Sequence, residues 1–129
     1  MIYLDSSAIV KLAHREAETD ALRAWLGANP HALVSSALAR TESHRALLRM
    51  SVQAIPVLRS VLATIHQRPL TDDLLDGAAS LPGAGLRSLD ALHLATAESL
   101  RPGLTWFVTY DKRLGDAAQA RGLPVIAPS

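Results

Sequence analysis

Short apolar runs alternate with stretches in which apolar residues recur every three or four positions, from one end of the chain to the other. Ile2, Tyr3 and Leu4 form an uninterrupted apolar run, the pattern of a buried strand. Ser6 and Ser7 then offer caps for a short helix over 8–13. Ala17, Ala21, Leu22, Trp25 and Leu26 have helical spacing over 17–28, and Gly27, Asn29 and Pro30 stop that helix. Residues 31–35 predict a second strand, and Ser36 can cap a long helix over 37–50. Over 52–66, Ile55, Leu58, Leu62 and Ile65 share one face with Val57 and Val61 beside them, predicting a helix with Pro56 in its first turn.

Residues 67–70 predict a third strand, and Thr71 caps a helix over 72–81 with acids in its first turn. A loop over 82–85 follows, then a helix over 89–100 capped by Ser88. Residues 104–109 predict the fourth strand, 111–120 a last helix closed by Gly122, and 124–127 a final short strand. This alternation predicts a three-layer α/β/α fold with a mostly parallel central sheet of about five short strands. No repeat or linker divides the chain, so a single domain over 1–129 is expected.

Composition narrows the class. With 129 residues, 49% of them hydrophobic and 19% charged, the chain can bury a real core and is unlike a disordered protein. A net charge of +1 gives no direct support to a nucleic-acid partner, although local patches matter more than the total. The absence of cysteine excludes disulfides and thiolate metal sites and predicts a cytoplasmic protein. Neither a secretory leader nor a membrane-spanning run is expected.

Four acids stand where chemistry is usually placed. Asp5 follows the first strand and Asp111 the fourth, and open parallel sheets bind ligands beyond the carboxyl ends of their strands. Glu42 lies in the helix after the second strand, and Asp90 opens the helix before the fourth, each with apolar neighbours. Four carboxylates in one cleft repel one another strongly without a cation, and hard divalent cations take oxygen ligands. Such a site can activate water for attack on a phosphodiester. Each acid also has a plain structural reading. Asp90 can complement a helix dipole, and Asp5 and Asp111 can cap helices. Glu42 can pair on a solvated face with Arg45 or Arg49. Spacing alone leaves open whether the four meet.

Four segments, taken in order, carry a family pattern. They are Met1-Ile2-Tyr3-Leu4-Asp5-Ser6-Ser7-Ala8, Ser35-Ser36-Ala37-Leu38-Ala39-Arg40-Thr41-Glu42, Arg87-Ser88-Leu89-Asp90-Ala91-Leu92-His93-Leu94-Ala95-Thr96-Ala97 and Phe107-Val108-Thr109-Tyr110-Asp111-Lys112-Arg113-Leu114. Together they resemble the PIN domains, and specifically the VapC-type toxins of VapBC toxin–antitoxin pairs. The resemblance implies a PIN-like fold and a Mg²⁺- or Mn²⁺-dependent endoribonuclease. It also implies an RNA substrate, a homodimer and a VapB-type antitoxin encoded alongside. By position it implies Asp5, Glu42, Asp90 and Asp111 as catalytic acids, with Asp5, Asp90 and Asp111 holding metal and Ser7 and Thr109 as polar support. Asp116 is a substitute for the fourth acid or a solvated acid on the last helix.

Other residues divide in the same way. The histidines His14, His31, His44, His66 and His93 show no metal-ligand spacing. His93, three residues after Asp90, reads as a packed or hydrogen-bonded histidine or as a substrate contact. Arg40, Arg45, Arg49, Arg87 and Arg113 are either phosphate contacts or solvated charge. Tyr110 is the one aromatic beside the expected site. The surplus of apolar residues over 52–66 is either core or a surface for a second copy or an antitoxin. Two other functions compete: a phosphotransfer hydrolase using Asp5 as nucleophile, and a non-catalytic α/β binding module in which Asp5 and Asp111 only cap helices.

Overall fold

β1 (Ile2–Leu4) forms where the first apolar run stands, and all three of its residues are buried. It is the middle strand of the computed structural model, which describes residues 1–83 and 85–129. Ala84, within the loop expected over 82–85, lies outside the described residues. The chain then runs through α1 (Ser6–Ala13), α2 (Thr19–Ala28), β2 (Leu33–Ser36) and α3 (Leu38–Met50). A 3₁₀ turn (Val52–Ala54), α4 (Ile55–Leu62), β3 (His66–Arg68) and α5 (Asp72–Ala79) follow. The last elements are α6 (Ser88–Glu98), β4 (Trp106–Val108), α7 (Lys112–Ala120) and β5 (Val125–Ile126).

Local chemistry explains where the bounds depart from expectation. α1 starts two residues early because the Asp5 carboxylate, not Ser6 or Ser7, accepts the Ala8 N–H at its N-terminus. Ser36 does serve the start of α3, where its hydroxyl accepts the Leu38 N–H at 3.1 Å. Ser88 lies inside the first turn of α6, which has no side-chain cap. The helix expected over 52–66 is a 3₁₀ turn followed by the shorter α4, with Pro56 in its first turn. Beyond Leu62, Thr64 donates its hydroxyl to the Val61 carbonyl at 2.7 Å, and the chain turns to bury Ile65. β3 therefore begins at His66, a residue earlier than expected, and ends before Pro69, which has no N–H for the ladder.

All strand pairs are parallel, in the order β3-β2-β1-β4-β5, with Tyr3 opposite Val34 on one side and Phe107 on the other. The chain builds outward from β1 to β3 and then returns to β1's other edge to add β4 and β5. Right-handed crossovers running in opposite directions place their helices on opposite faces. Accordingly Ile2, Leu4 and Val108 pack with Ile9, Leu22, Leu47 and Leu58 under α1 to α4. Tyr3, Val34 and Phe107 pack with Leu94, Leu114 and Leu123 under α6 and α7. α5 lies outboard on α6, through Ala78, Ala91 and Ala95. Each fully buried leucine in these layers contributes about 1.5–3 kcal/mol relative to an exposed one, which holds the strand ends in fixed positions. The strand order reverses between β1 and β4, so the crevice beyond their carboxyl ends is the natural ligand site. Among the described residues no helix is long and apolar enough to cross a membrane.

Candidate active site

Asp5 leaves β1 at that crevice and is 3% exposed. Its Oδ1 accepts the Ser7 hydroxyl at 2.6 Å and the Ala8 N–H at 3.0 Å, and its Oδ2 accepts the Thr109 hydroxyl at 2.5 Å. The two hydroxyls are themselves fixed from the β4 side. Ser7 accepts the Tyr110 N–H at 2.9 Å, and Thr109 accepts the Asp111 N–H at 3.0 Å. Each hydroxyl has one proton, and both protons go to Asp5. Burial nevertheless raises the Asp5 carboxyl above its ordinary range, with His93 and the three hydrogen bonds pulling the other way.

The remaining acids arrive from three helices. Asp111 caps α7, accepting the Leu114 N–H at 3.1 Å. Asp90 sits in the first turn of α6. Its carboxyl is raised by partial burial and by the charges of Asp111 and Glu42, against the pull of His93 and Arg87. Glu42, on α3, accepts at Oε1 from His93 Nε2 at 2.5 Å. Asp5, Glu42, Asp90 and Asp111 all line one cleft of about 300 Å³, together with Ser7, Arg87 and His93. Among the described residues, no three Asp, Glu or His side chains close on a single point tightly enough to hold an ion by themselves. A hard cation that keeps waters in its shell and takes few carboxylates suits such an open, all-oxygen donor set. The like charges that raise Asp90 are what a bound cation would relieve.

The sequence profile of the PIN domain matches residues 2–120. The chain belongs to the PIN-domain family. Its relatives include Ribonuclease VapC46 of Mycobacterium tuberculosis (strain ATCC 25618 / H37Rv), 52% identical over 128 residues and covering 99% of this chain and 98% of that protein. Ribonuclease VapC35 of Mycobacterium tuberculosis (strain CDC 1551 / Oshkosh) is 45% identical over 132 residues, covering 99% and 97%. The PIN fold is shared with the crystal structure of Mycobacterium tuberculosis VapC20, a Sarcin-Ricin loop cleaving toxin. That structure aligns with a TM-score of 0.77 at 18% identity, over 99% of this chain and 100% of the other. The resemblance to PIN domains and the expected α/β PIN-like fold are both borne out.

Within this PIN domain the expected site residues separate clearly. The four acids, Ser7 and Thr109 come together, while Asp116 lines the neighbouring cavity that also touches Asp90 and is paired with Lys112 at 2.9 Å. Of the arginines, Arg87 lines the cleft, Arg113 lines a neighbouring cavity beside Asp90, and Arg40, Arg45 and Arg49 are exposed on α3. A second cavity adjoins the cleft at Ser6, Ser7 and Glu42 and is bordered by Lys11 and Tyr110. There Lys11 is paired with Glu18 at 2.9 Å and Glu16 at 3.2 Å and lies 4.7 Å over the Tyr110 ring.

Tyr3 is the residue that sequence reasoning missed. Its hydroxyl lies 2.6 Å from His93 Nδ1, so His93 is both a buried, hydrogen-bonded histidine and part of the cleft wall. Burial and the nearby Asp5 charge hold the Tyr3 phenol well above its ordinary range, so it remains a protonated donor. The phosphotransfer alternative fits poorly. It needs a lysine to hold the phosphate, but Lys11 is clasped by two carboxylates and Lys112 is paired away from the cleft.

Proposed function

We propose that the chain is a metal-dependent endoribonuclease acting as the toxin of a type II toxin–antitoxin pair. The observation that carries this reading is the convergence of Asp5, Glu42, Asp90 and Asp111 on one cleft at the β1/β4 reversal. The ribonuclease names of the full-length relatives support it. A binding module needs Asp5 and Asp111 as caps but has no use for two further acids from α3 and α6 in the same cleft.

In this reading Asp5, Asp90 and Asp111 would hold a Mg²⁺ or Mn²⁺ ion. Such a cation would supply Lewis acidity and would make a bound water easier to deprotonate. Glu42 lines the cleft with one oxygen held by His93, and its other oxygen is the acceptor for a proton of the attacking water. Ser7 and Thr109 fix the Asp5 carboxylate in one orientation. Arg87, the cation in the cleft wall, holds a backbone phosphate of the RNA.

The partners are RNA, a second copy of the chain and a VapB-type antitoxin, all in the cytoplasm. Leu48, Met50, Val52 and Val57, exposed along the end of α3 and the start of α4, give a protein partner an apolar surface. The test is cleavage of total RNA by the purified chain with Mg²⁺ or Mn²⁺ and with EDTA. Cleavage that requires added metal is expected. Activity that survives exhaustive chelation overturns the metal mechanism, and no cleavage of any RNA overturns the nuclease reading.

A further inference from the structure

Glu42 sits on α3 with three side-chain torsions and a carboxylate that is partly exposed in the cleft, so its orientation needs an external anchor. The anchor comes from the opposite face of the sheet. His93 projects from α6 with 1% of its surface exposed and places Nε2 2.5 Å from Glu42 Oε1. Its other ring nitrogen, Nδ1, is 2.6 Å from the hydroxyl of Tyr3 in the central strand. Tyr3 is itself rigidly seated. It is fully buried, stacked on Phe107 with centroids 5.1 Å apart and planes 3° from parallel, and edge-on to the His93 ring at 5.8 Å.

Proton accounting along this chain has one neutral solution. An ionised carboxylate only accepts, so Nε2 must carry the hydrogen that faces Glu42. In a neutral imidazole Nδ1 is then an acceptor, and the Tyr3 O–H is the donor that meets it. With His93 neutral, the direction of donation is Tyr3 to His93 to Glu42.

We infer that His93, held in its Nε2–H tautomer by Tyr3, is a positioning residue that sets the rotamer of Glu42 and turns its second oxygen to the cleft. This deepens the nuclease reading and rests on it for its kinetic consequence. Of the four acids the relay hydrogen-bonds only Glu42, so its loss should lower kcat and leave the KM for RNA nearly unchanged. The expected loss is about 10–100-fold, the usual effect of removing a partner that orients a site residue.

The test is a set of double-mutant cycles. Tyr3→Phe removes one oxygen and keeps the packing. His93→Leu removes both hydrogen bonds, and His93→Gln keeps an N–H where Nε2 stands. Each is made in the wild type and in a Glu42→Gln background. Expected are a kcat loss in Tyr3→Phe and His93→Leu, substantial rescue in His93→Gln, and no further loss in any of them once Glu42 is Gln. Losses that add fully in the Glu42→Gln background, or a His93→Gln variant as impaired as His93→Leu, overturn the inference. Should His93→Leu fail to fold, Tyr3→Phe carries the same cycle.

A second readout needs no RNA. The ring nitrogens of His93, followed by NMR in the wild-type chain, should report the Nε2–H tautomer with a protected proton, and Tyr3→Phe should weaken that protection. The opposite tautomer in the wild type overturns the relay. The expected tautomer in a protein that cuts no RNA overturns the nuclease reading and leaves the relay standing.

Discussion

Thr109, at the end of β4, gives its only hydroxyl proton to Asp5, at the end of β1, across 104 positions of sequence. Thr109→Val keeps the shape and removes the donor. Asp5 Oδ2 then loses its partner in a buried position, and the Asp111 N–H loses its acceptor. Destabilisation of about 1–3 kcal/mol at neutral pH is expected in urea melts, with Thr109→Ser restoring most of it. A Thr109→Val protein as stable as wild type would show that the bond contributes nothing.

The raised carboxyls of Asp5 and Asp90 make a signed prediction about pH. Between the unfolded value, about 4, and the raised folded values, the folded protein keeps protons that the unfolded chain has shed. The contribution of these two acids to metal-free stability is therefore fully present below about pH 4 and is lost as pH rises through the folded values. Asp90→Asn removes its share of that loss and should be more stable than wild type at neutral pH in EDTA. Asp5→Asn should not be. Three hydrogens already point at Asp5, and an amide would set its own N–H groups against one of them. Denaturation of the three proteins at pH 5 and pH 7.5 separates the two sites, and an equal gain in both variants contradicts the hydrogen-bond argument.

Divalent metal should reverse that ranking. Mn²⁺ binding only the folded wild type stabilises it by about 2.7 kcal/mol at a hundredfold excess over Kd, and Asp90→Asn should gain much less. Thermal melts with EDTA and with graded Mn²⁺ provide the check. Identical responses in wild type and Asp90→Asn would mean that Asp90 does not help to bind metal.

Asp111 has two roles, and two substitutions divide them. Asparagine caps helices as well as aspartate does, so Asp111→Asn should keep the stability of α7 and lose RNA cleavage through loss of charge. Asp111→Ala should lose cleavage and, in addition, about 0.5–2 kcal/mol of stability. Asp116→Asn should change neither by much, because its pair with Lys112 is exposed. A deep loss of cleavage in Asp116→Asn would move the fourth acid to that position.

Expressed alone in bacteria, the wild-type chain should arrest growth, and Asp90→Asn should not. An adjacent small antitoxin should relieve the arrest. Harmless accumulation of folded, metal-replete wild-type protein counts against the toxin assignment.

The strands and their order of appearance were legible because buried parallel strands are short apolar runs, as at Ile2–Leu4 and Trp106–Val108. β3 was misplaced because it is an edge strand of polar residues, His66, Gln67 and Arg68, which carries no apolar signal. The end of α4 was overrun because the apolar spacing continues through Ile65, while the bond from Thr64 to Val61 that stops the helix leaves no mark on hydropathy. Asp5 was legible both as a site residue and as a helix cap, although the sequence did not decide between it and Ser6 or Ser7 for the start of α1. All three are good capping residues, and only the geometry assigns the Ser7 hydroxyl to Asp5. The pairing of Tyr3 with His93 was hidden for a different reason. In the apolar run Tyr3 reads as one more core residue, and nothing local says that its hydroxyl has a partner 90 positions away.

The placement of β4 beside β1 has a consequence for biosynthesis. The acids span residues 5 to 111, and Asp5 stays incomplete until Thr109 docks against it. A nascent chain emerging from the ribosome carries Asp5 and Glu42 early, and β1 then has only its β2 edge paired. Parallel pairing over so long a separation is slow. Until residue 111 has been translated and β4 has docked on β1, the four acids cannot share one cleft.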